Sequence, residues 1–148
     1  MQLLDRCRDE LIAAPLAVLA AGAPERSASA ERSAGAHRDE LVRMIDAWLG
    51  WVELHPDASR LLFTPIRGDE ELERVQRELY LQQRDTQVAL LRQFAPGLSE
   101  ADAEPLAEIT RAGFAAIALW WLNHPDRPRA APRQALLTMA LGIVSTAG

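Results

Sequence analysis

The sequence predicts an all-α fold, on three observations. Ala is abundant while Val, Ile, Thr and Tyr are sparse, a composition that favours helix over strand. Apolar residues recur at helical spacing along most of the chain. Proline breaks at His55-Pro56, Thr64-Pro65 and Pro96-Gly97 separate the periodic segments. At 148 residues the chain fits one domain, residues 1–148, long enough to bury a core without disulfides.

Residues 2 to 21 carry Leu3, Leu4, Cys7, Leu11, Ile12, Leu16 and Leu19 at helical spacing, and Pro15 is expected to kink or split this helix. The stretch GAPERSASAERSAGAH that follows has no large apolar side chain, so residues 23–36 are expected to form a flexible or weakly helical connection. A second helix is expected from about Arg38 to Leu54. Its apolar stripe, Leu41, Ile45, Trp48 and Val52, is flanked by Val42, Met44, Leu49 and Trp51, wide enough to be contacted on more than one side. Pro56 ends it, and Asp57 or Ser59 is expected to cap a short turn through Leu61, Leu62 and Phe63.

Gly68-Asp69 opens a long helix reaching to about Ala95. Its stripe runs through Leu72, Val75 and Leu79, turns polar at Gln82, Gln83 and Thr86, and resumes at Leu90 and Phe94. Ser99 with Asp102 resembles a capping box, with Asp in place of Glu, and starts a helix running to His124. From Ala112 to Leu122 that helix is apolar all round, and the last segment, beginning near Pro132, is apolar on nearly all faces. Two such helices exceed what one small core can hide, so they are expected to meet their own copies across a two-fold axis, with the small Ala112, Ala115 and Ala116 permitting close approach.

The formal charge is −5 and every basic residue is Arg. That balance is not one that grips nucleic acid over the whole surface, and the lack of Lys excludes Schiff-base and P-loop chemistry. Cys7 is the single cysteine, so no internal disulfide or cysteine metal knuckle can form, and a reducing, cytoplasmic location is expected. Leu11 to Gly22 with Ala28-Ser29-Ala30 imitates a signal peptide, but Asp5, Asp9 and Glu10 occupy the region that should be positive. No apolar run approaches the ~20 residues of a membrane span.

His37, His55 and His124 fall at helix ends without metal spacing, and Ser59, Ser99 and Ser145 lack a glycine-flanked elbow. Acid pairs such as Glu70-Glu71 lie in first turns, where carboxylates favour the helix dipole. No enzyme, metal or cofactor is expected. His-Pro-Asp occurs twice, at His55 and His124, each time behind tryptophans. The tripeptide resembles that of J-domain co-chaperones, but its repetition and the mixed charge of the helix before His55 read as helix punctuation.

The aromatics Trp48, Trp51, Phe63, Tyr80, Phe114, Trp120 and Trp121 lie on the middle helices. They form a core, or some of them line an apolar cavity whose orienting polar groups come from Gln82, Gln83, Thr86 and Gln87, with Tyr80 and Arg84 nearby.

Taken in order, HPDASRLLF after a Trp-containing helix, ERVQRELYLQQRDTQVALLRQF, and the late pair EPLAEITRAGFAAIALWWLNHP and PRQALLTMALGIVS resemble the C-terminal regulatory domain of the TetR family of transcriptional repressors. The resemblance implies a helical bundle whose last two helices form a four-helix-bundle homodimer interface, while the preceding helices enclose a small, mostly apolar effector. Family members begin with a helix-turn-helix domain, which is absent before QLLDRCRDEL. Operator DNA would therefore be met only through a domain preceding Met1.

On this basis the effector cavity is expected to draw Met44, Trp48, Trp51 and Phe63 from the first half of the domain. Tyr80, Gln83 and Gln87 are expected from the long helix, and Phe114, Ile117 and Trp121 from the next. The dimer face is expected at Ala112, Ala116, Leu119 and Trp120, together with Leu136, Met139, Leu141, Ile143 and Val144. The alternative is a stand-alone helical dimerisation or scaffold module with a packed interior and no ligand.

Overall fold

The computed structural model describes residues 2–21 and 34–147, with side chains at 2–13 and 37–147. Six helices account for nearly all of it: α1 (Gln2–Ala21), α2 (Ala34–Leu54), α3 (Pro56–Phe63), α4 (Glu70–Phe94), α5 (Glu100–Leu122) and α6 (Ala130–Ala147). The all-α class follows, with no strand among the described residues. No helix among them is long and apolar enough to cross a membrane.

Helix α1 continues through Pro15 as one element, so of the expected kink or split the split does not occur. Helix α2 begins at Ala34, so 34–36 belong to it and not to the connection expected at 23–36; the rest of that connection lies outside the described residues. The wide stripe of α2 is buried across its breadth, at Leu41, Ile45, Trp48 and Val52 and at the flanking Leu49 and Trp51.

Neither Asp57 nor Ser59 caps α3. Pro56 occupies its first turn, where a missing N–H costs nothing, and His55 precedes it without a side-chain cap. The buried Ser59 hydroxyl instead donates to the His55 carbonyl at 2.8 Å. Gly68 adopts φ 93°, a conformation open to glycine, and its N–H donates to Glu73 Oε1 at 2.7 Å. Asp69 then caps α4 by accepting from the Leu72 N–H.

Ser99 caps α5 through the Asp102 N–H at 3.1 Å. The Asp102 carboxylate accepts from the Ser99 hydroxyl at 2.6 Å, so the box closes on the hydroxyl. The helix ends at Leu122, two residues short of the expected His124, and α6 starts at Ala130, two residues before Pro132.

Both His-Pro-Asp sites share one local device. The His55 ring lies 4.9 Å from Trp51, and the His124 ring stacks 4.8 Å from Trp120, each pair four residues apart at a helix end. His124 Nδ1 also lies 2.7 Å from the Trp120 carbonyl oxygen. The tripeptide is punctuation, with the imidazole folded back over the preceding indole.

Helix pairings close a ring: α1 packs on α2, α2 on α6, α6 on α5, α5 on α4, and α4 returns to α1. Helix α3 lies across one end, touching α1, α2, α4 and α5. Ion pairs reinforce two of these joints. Arg8 of α1 reaches Glu78 of α4, while Arg74 of α4 holds Glu78 at 2.8 Å and faces Asp5 at 3.6 Å. At the α2–α6 joint Arg129 meets Glu53 at 2.8 Å and Arg133 meets Asp46 at 2.7 Å. The core inside the ring is built on Leu11, Ile45, Leu49, Val52, Val75 and Leu136, all essentially inaccessible.

Candidate functional site

The ring of five helices does not fill its own centre. A cavity of about 80 Å³ remains, and every ring helix contributes to its wall. Leu11 and Ile12 come from α1, and Leu41, Met44, Ile45 and Trp48 from α2. Helix α4 supplies Leu90, Leu91 and Phe94 on its apolar part and Gln83, Thr86 and Gln87 on its polar part. Thr110, Arg111 and Phe114 of α5 complete it with Ala140, Ile143 and Val144 of α6. A space this size holds a few waters or the body of a compact molecule.

Of the polar interruption in the α4 stripe, Gln83, Thr86 and Gln87 face this cavity, while Gln82 is exposed and lines neither cavity. The side chains of Gln83, Thr86 and Gln87 make no hydrogen bond to any described residue, although all three are half-buried. Unpaired amides in such a place are groups a ligand or water can satisfy. Thr110, by contrast, spends its hydroxyl on the Leu106 carbonyl at 2.8 Å.

Trp48 forms the aromatic wall. Its ring meets Phe114 edge-on at 5.0 Å and 80°, and Phe63 at 5.8 Å on its other side. A second, more open cavity of about 170 Å³ lies beyond, lined by Leu62, Phe63, Leu79, Tyr80 and Ala115 among others. Gln83 and Arg111 line both spaces and so stand where the two adjoin.

Arg111 holds this position through two neighbours. Its Nε and Nη2 donate to the two oxygens of Glu108, one turn earlier on α5. Its guanidinium carbon lies 4.7 Å from the centre of the Tyr80 ring, a cation–π arrangement. The hydrogen bond from Arg111 holds the Glu108 carboxyl below its usual range, more than desolvation raises it, and the Tyr80 hydroxyl adds to the effect.

Of the expected effector residues, the structure brings Met44, Trp48, Gln83, Gln87 and Phe114 to the main cavity. Phe63 and Tyr80 line the adjoining one. Trp51, Ile117 and Trp121 line neither. Trp51 is buried beside His55 with its Nε1 unpaired, nearly one turn closer than Trp48 to the C-terminal end of α2. Trp121 donates its Nε1 to the Arg127 carbonyl at 3.1 Å, and Ile117 packs against the core. Arg84 pairs with its neighbour Asp85 at 3.1 Å and lines neither cavity.

The residues expected at a dimer face divide. Leu136 is buried within the subunit, and Ile143 and Val144 line the main cavity, because α6 turns that face inward onto α2 and α5. Met139 is half-buried, close enough to Gly113 that a Cβ there would meet its sulfur, which sets a close α5–α6 crossing. Leu141 is half-buried against the core, and Leu119 is half-buried. Ala112 and Ala116 are exposed, on the same face of α5 as Ile109, which is 56% exposed. Trp120 is half-buried, between His124 and the Arg127 guanidinium.

Sequence reasoning missed the α1 contribution and Leu90, Leu91, Phe94 and Thr110. Leu90 and Phe94 could have been found, since they resume the α4 stripe immediately past its polar break. The three histidines lie apart, His37 against Phe94 and the other two on tryptophans. Among the described residues no group of three His, Cys, Asp or Glu side chains is arranged to hold a metal ion. Compared with models of known families, with curated proteins and with solved structures, the chain shows no significant match.

Proposed function

We propose that this chain is the effector-sensing and dimerisation domain of a TetR-like transcriptional repressor, binding a small, mostly apolar ligand that alters the geometry of a homodimer. The observation that carries the reading is the cavity at the centre of the helix ring, apolar on the α1, α2 and α6 sides and presenting three unpaired polar side chains from α4. A cavity with few, convergent polar groups is the usual form of a small-molecule site.

The position of the cavity supports a signalling role. Each ring helix forms part of its wall, so a ligand that swells or tightens it acts on all five at once. Helix α5 carries Arg111 and Phe114 on the cavity side and the exposed Ile109, Ala112 and Ala116 on another, which couples occupancy to the face where a second subunit would pack. A ligand shifts such an equilibrium only by its preference for one dimer geometry. Operator DNA would be read by a helix-turn-helix domain outside this sequence.

The test is a thermal-melt screen of lipophilic small molecules, with the oligomeric state measured by sedimentation. A concentration-dependent rise in melting temperature is expected for some compounds, on a dimeric protein. No rise with any compound would favour the stand-alone scaffold.

A further inference from the structure

We infer, resting on the ligand-binding reading above, that the effector is a compact lipophilic carboxylate whose head group is taken by Arg111 and Gln83 and whose body lies against Trp48 and Phe114.

Among the described residues, Arg111 is the single charged side chain lining either of the two cavities, and it lines both. No described Asp or Glu lines either one. A cation on the wall of a largely apolar space, with its partner Glu108 lining neither cavity, sets a positive potential there, stronger than in water because the surroundings are less polarisable. Glu108 meets Arg111 through Nε and Nη2 only, and Nη1 has no acceptor among the described residues. The guanidinium therefore keeps donor capacity for a second carboxylate, with the Gln83 amide, also unpaired, beside it at the junction.

Charge count selects the class. Glu108 already balances the Arg111 charge, so a monoanion leaves one net negative charge at the junction and a phosphate dianion two, with no other charged lining residue among those described to offset it. The Tyr80 ring fixes the guanidinium plane, so the head group meets a pre-set fork. The main cavity, about 80 Å³ with its edge-to-face Trp48–Phe114 wall, and the adjoining one of about 170 Å³ together give room for a short chain or a single ring.

The experiment compares octanoate and 4-phenylbutanoate with their neutral primary amides, near-isosteres, by melting-temperature titration and calorimetry at neutral pH. At least one acid is expected to bind more tightly than its amide by roughly tenfold or more, the scale of a hydrogen bond to a charged group. Arg111→Gln should abolish that preference, so that each acid binds no more tightly than its amide. If Arg111→Gln does not fold, Arg111→Lys, which keeps the charge but loses the planar fork, should reduce the preference only in part. Amides that bind as well as or better than both acids would overturn the carboxylate assignment and leave the cavity reading standing. Neither acid binding, while neutral lipophiles do, overturns it equally. No binding by acids, amides or the wider lipophile screen removes the ligand-binding reading itself, and this inference with it.

Discussion

The guanidinium carbon of Arg111 lies 4.7 Å from the centre of the Tyr80 ring, so a cation on α5 is seated on an aromatic face of α4 at the junction of the two cavities. Tyr80 is 38% exposed, which places the pair in partly solvated surroundings. A double-mutant cycle with Tyr80→Leu and Arg111→Met should give a coupling of roughly 0.5–1 kcal/mol in urea unfolding, the range for cation–π pairs near a surface. Additive losses would mean that the ring and the guanidinium do not interact.

The acid limb of stability should depend on two glutamates. Hydrogen bonds from Arg111 and from Arg74 hold Glu108 and Glu78, respectively, below the usual carboxylate range. A carboxyl whose folded pKa is depressed stabilises the fold above its unfolded value, roughly 4.3, and that contribution is lost as pH falls through the folded pKa. Melting temperature followed down from pH 7 should therefore decline in the acid range, and less steeply in Glu78→Gln and Glu108→Gln than in the parent. Both pairs are partly exposed, so the difference should shrink in high salt.

Core and cavity positions should respond in opposite ways to substitution. Leu49 is wholly buried, and Leu49→Ala should cost about 2–5 kcal/mol through lost burial and the hole left behind. Gln87 is half-buried at the cavity with no hydrogen-bond partner, so Gln87→Leu should leave the unliganded melting temperature unchanged or raise it. The same variant should weaken binding of a ligand that uses the amide. A large drop in stability for Gln87→Leu would show that the side chain has a structural partner.

Cys7 is 6% exposed, and burial pushes its thiol up from the ordinary cysteine range. Its reaction with a chromogenic disulfide reagent at neutral pH should be slow in the folded protein and rise to the rate of a free thiol in denaturant. Fast labelling of the native state would mean that α1 opens away from α2.

The exposed face of α5 should decide oligomeric state. Ala112→Glu and Ala116→Glu place a carboxylate on a surface otherwise composed of Ile109 and small side chains. They should convert a dimer to a monomer in sedimentation with helical content retained. A parent protein that is already monomeric at tens of micromolar would sink the dimer proposal.

What the sequence determined by itself is local. The helices, their stops at His55-Pro56 and Thr64-Pro65, and the caps at Asp69 and Ser99 follow from 3.6-residue periodicity and cap chemistry, which act over a few neighbouring residues. The polar break in α4 was legible too, as a departure from a clear stripe. Tertiary structure decided which faces meet. In α6 apolar side chains surround the helix, so periodicity carries no phase, and only its packing on α2 and α5 turned Leu136, Ile143 and Val144 inward. Trp48 and Trp51 are three residues apart and both buried, yet one walls the cavity and the other packs by His55, because Trp51 sits nearly a turn closer to the end of α2. The share of α1 in the cavity depends on the return of α4 to α1, a contact between residues some seventy positions apart such as Arg8 and Glu78. No local pattern encodes a closure of that span, since it is selected by the sum of burial around the ring.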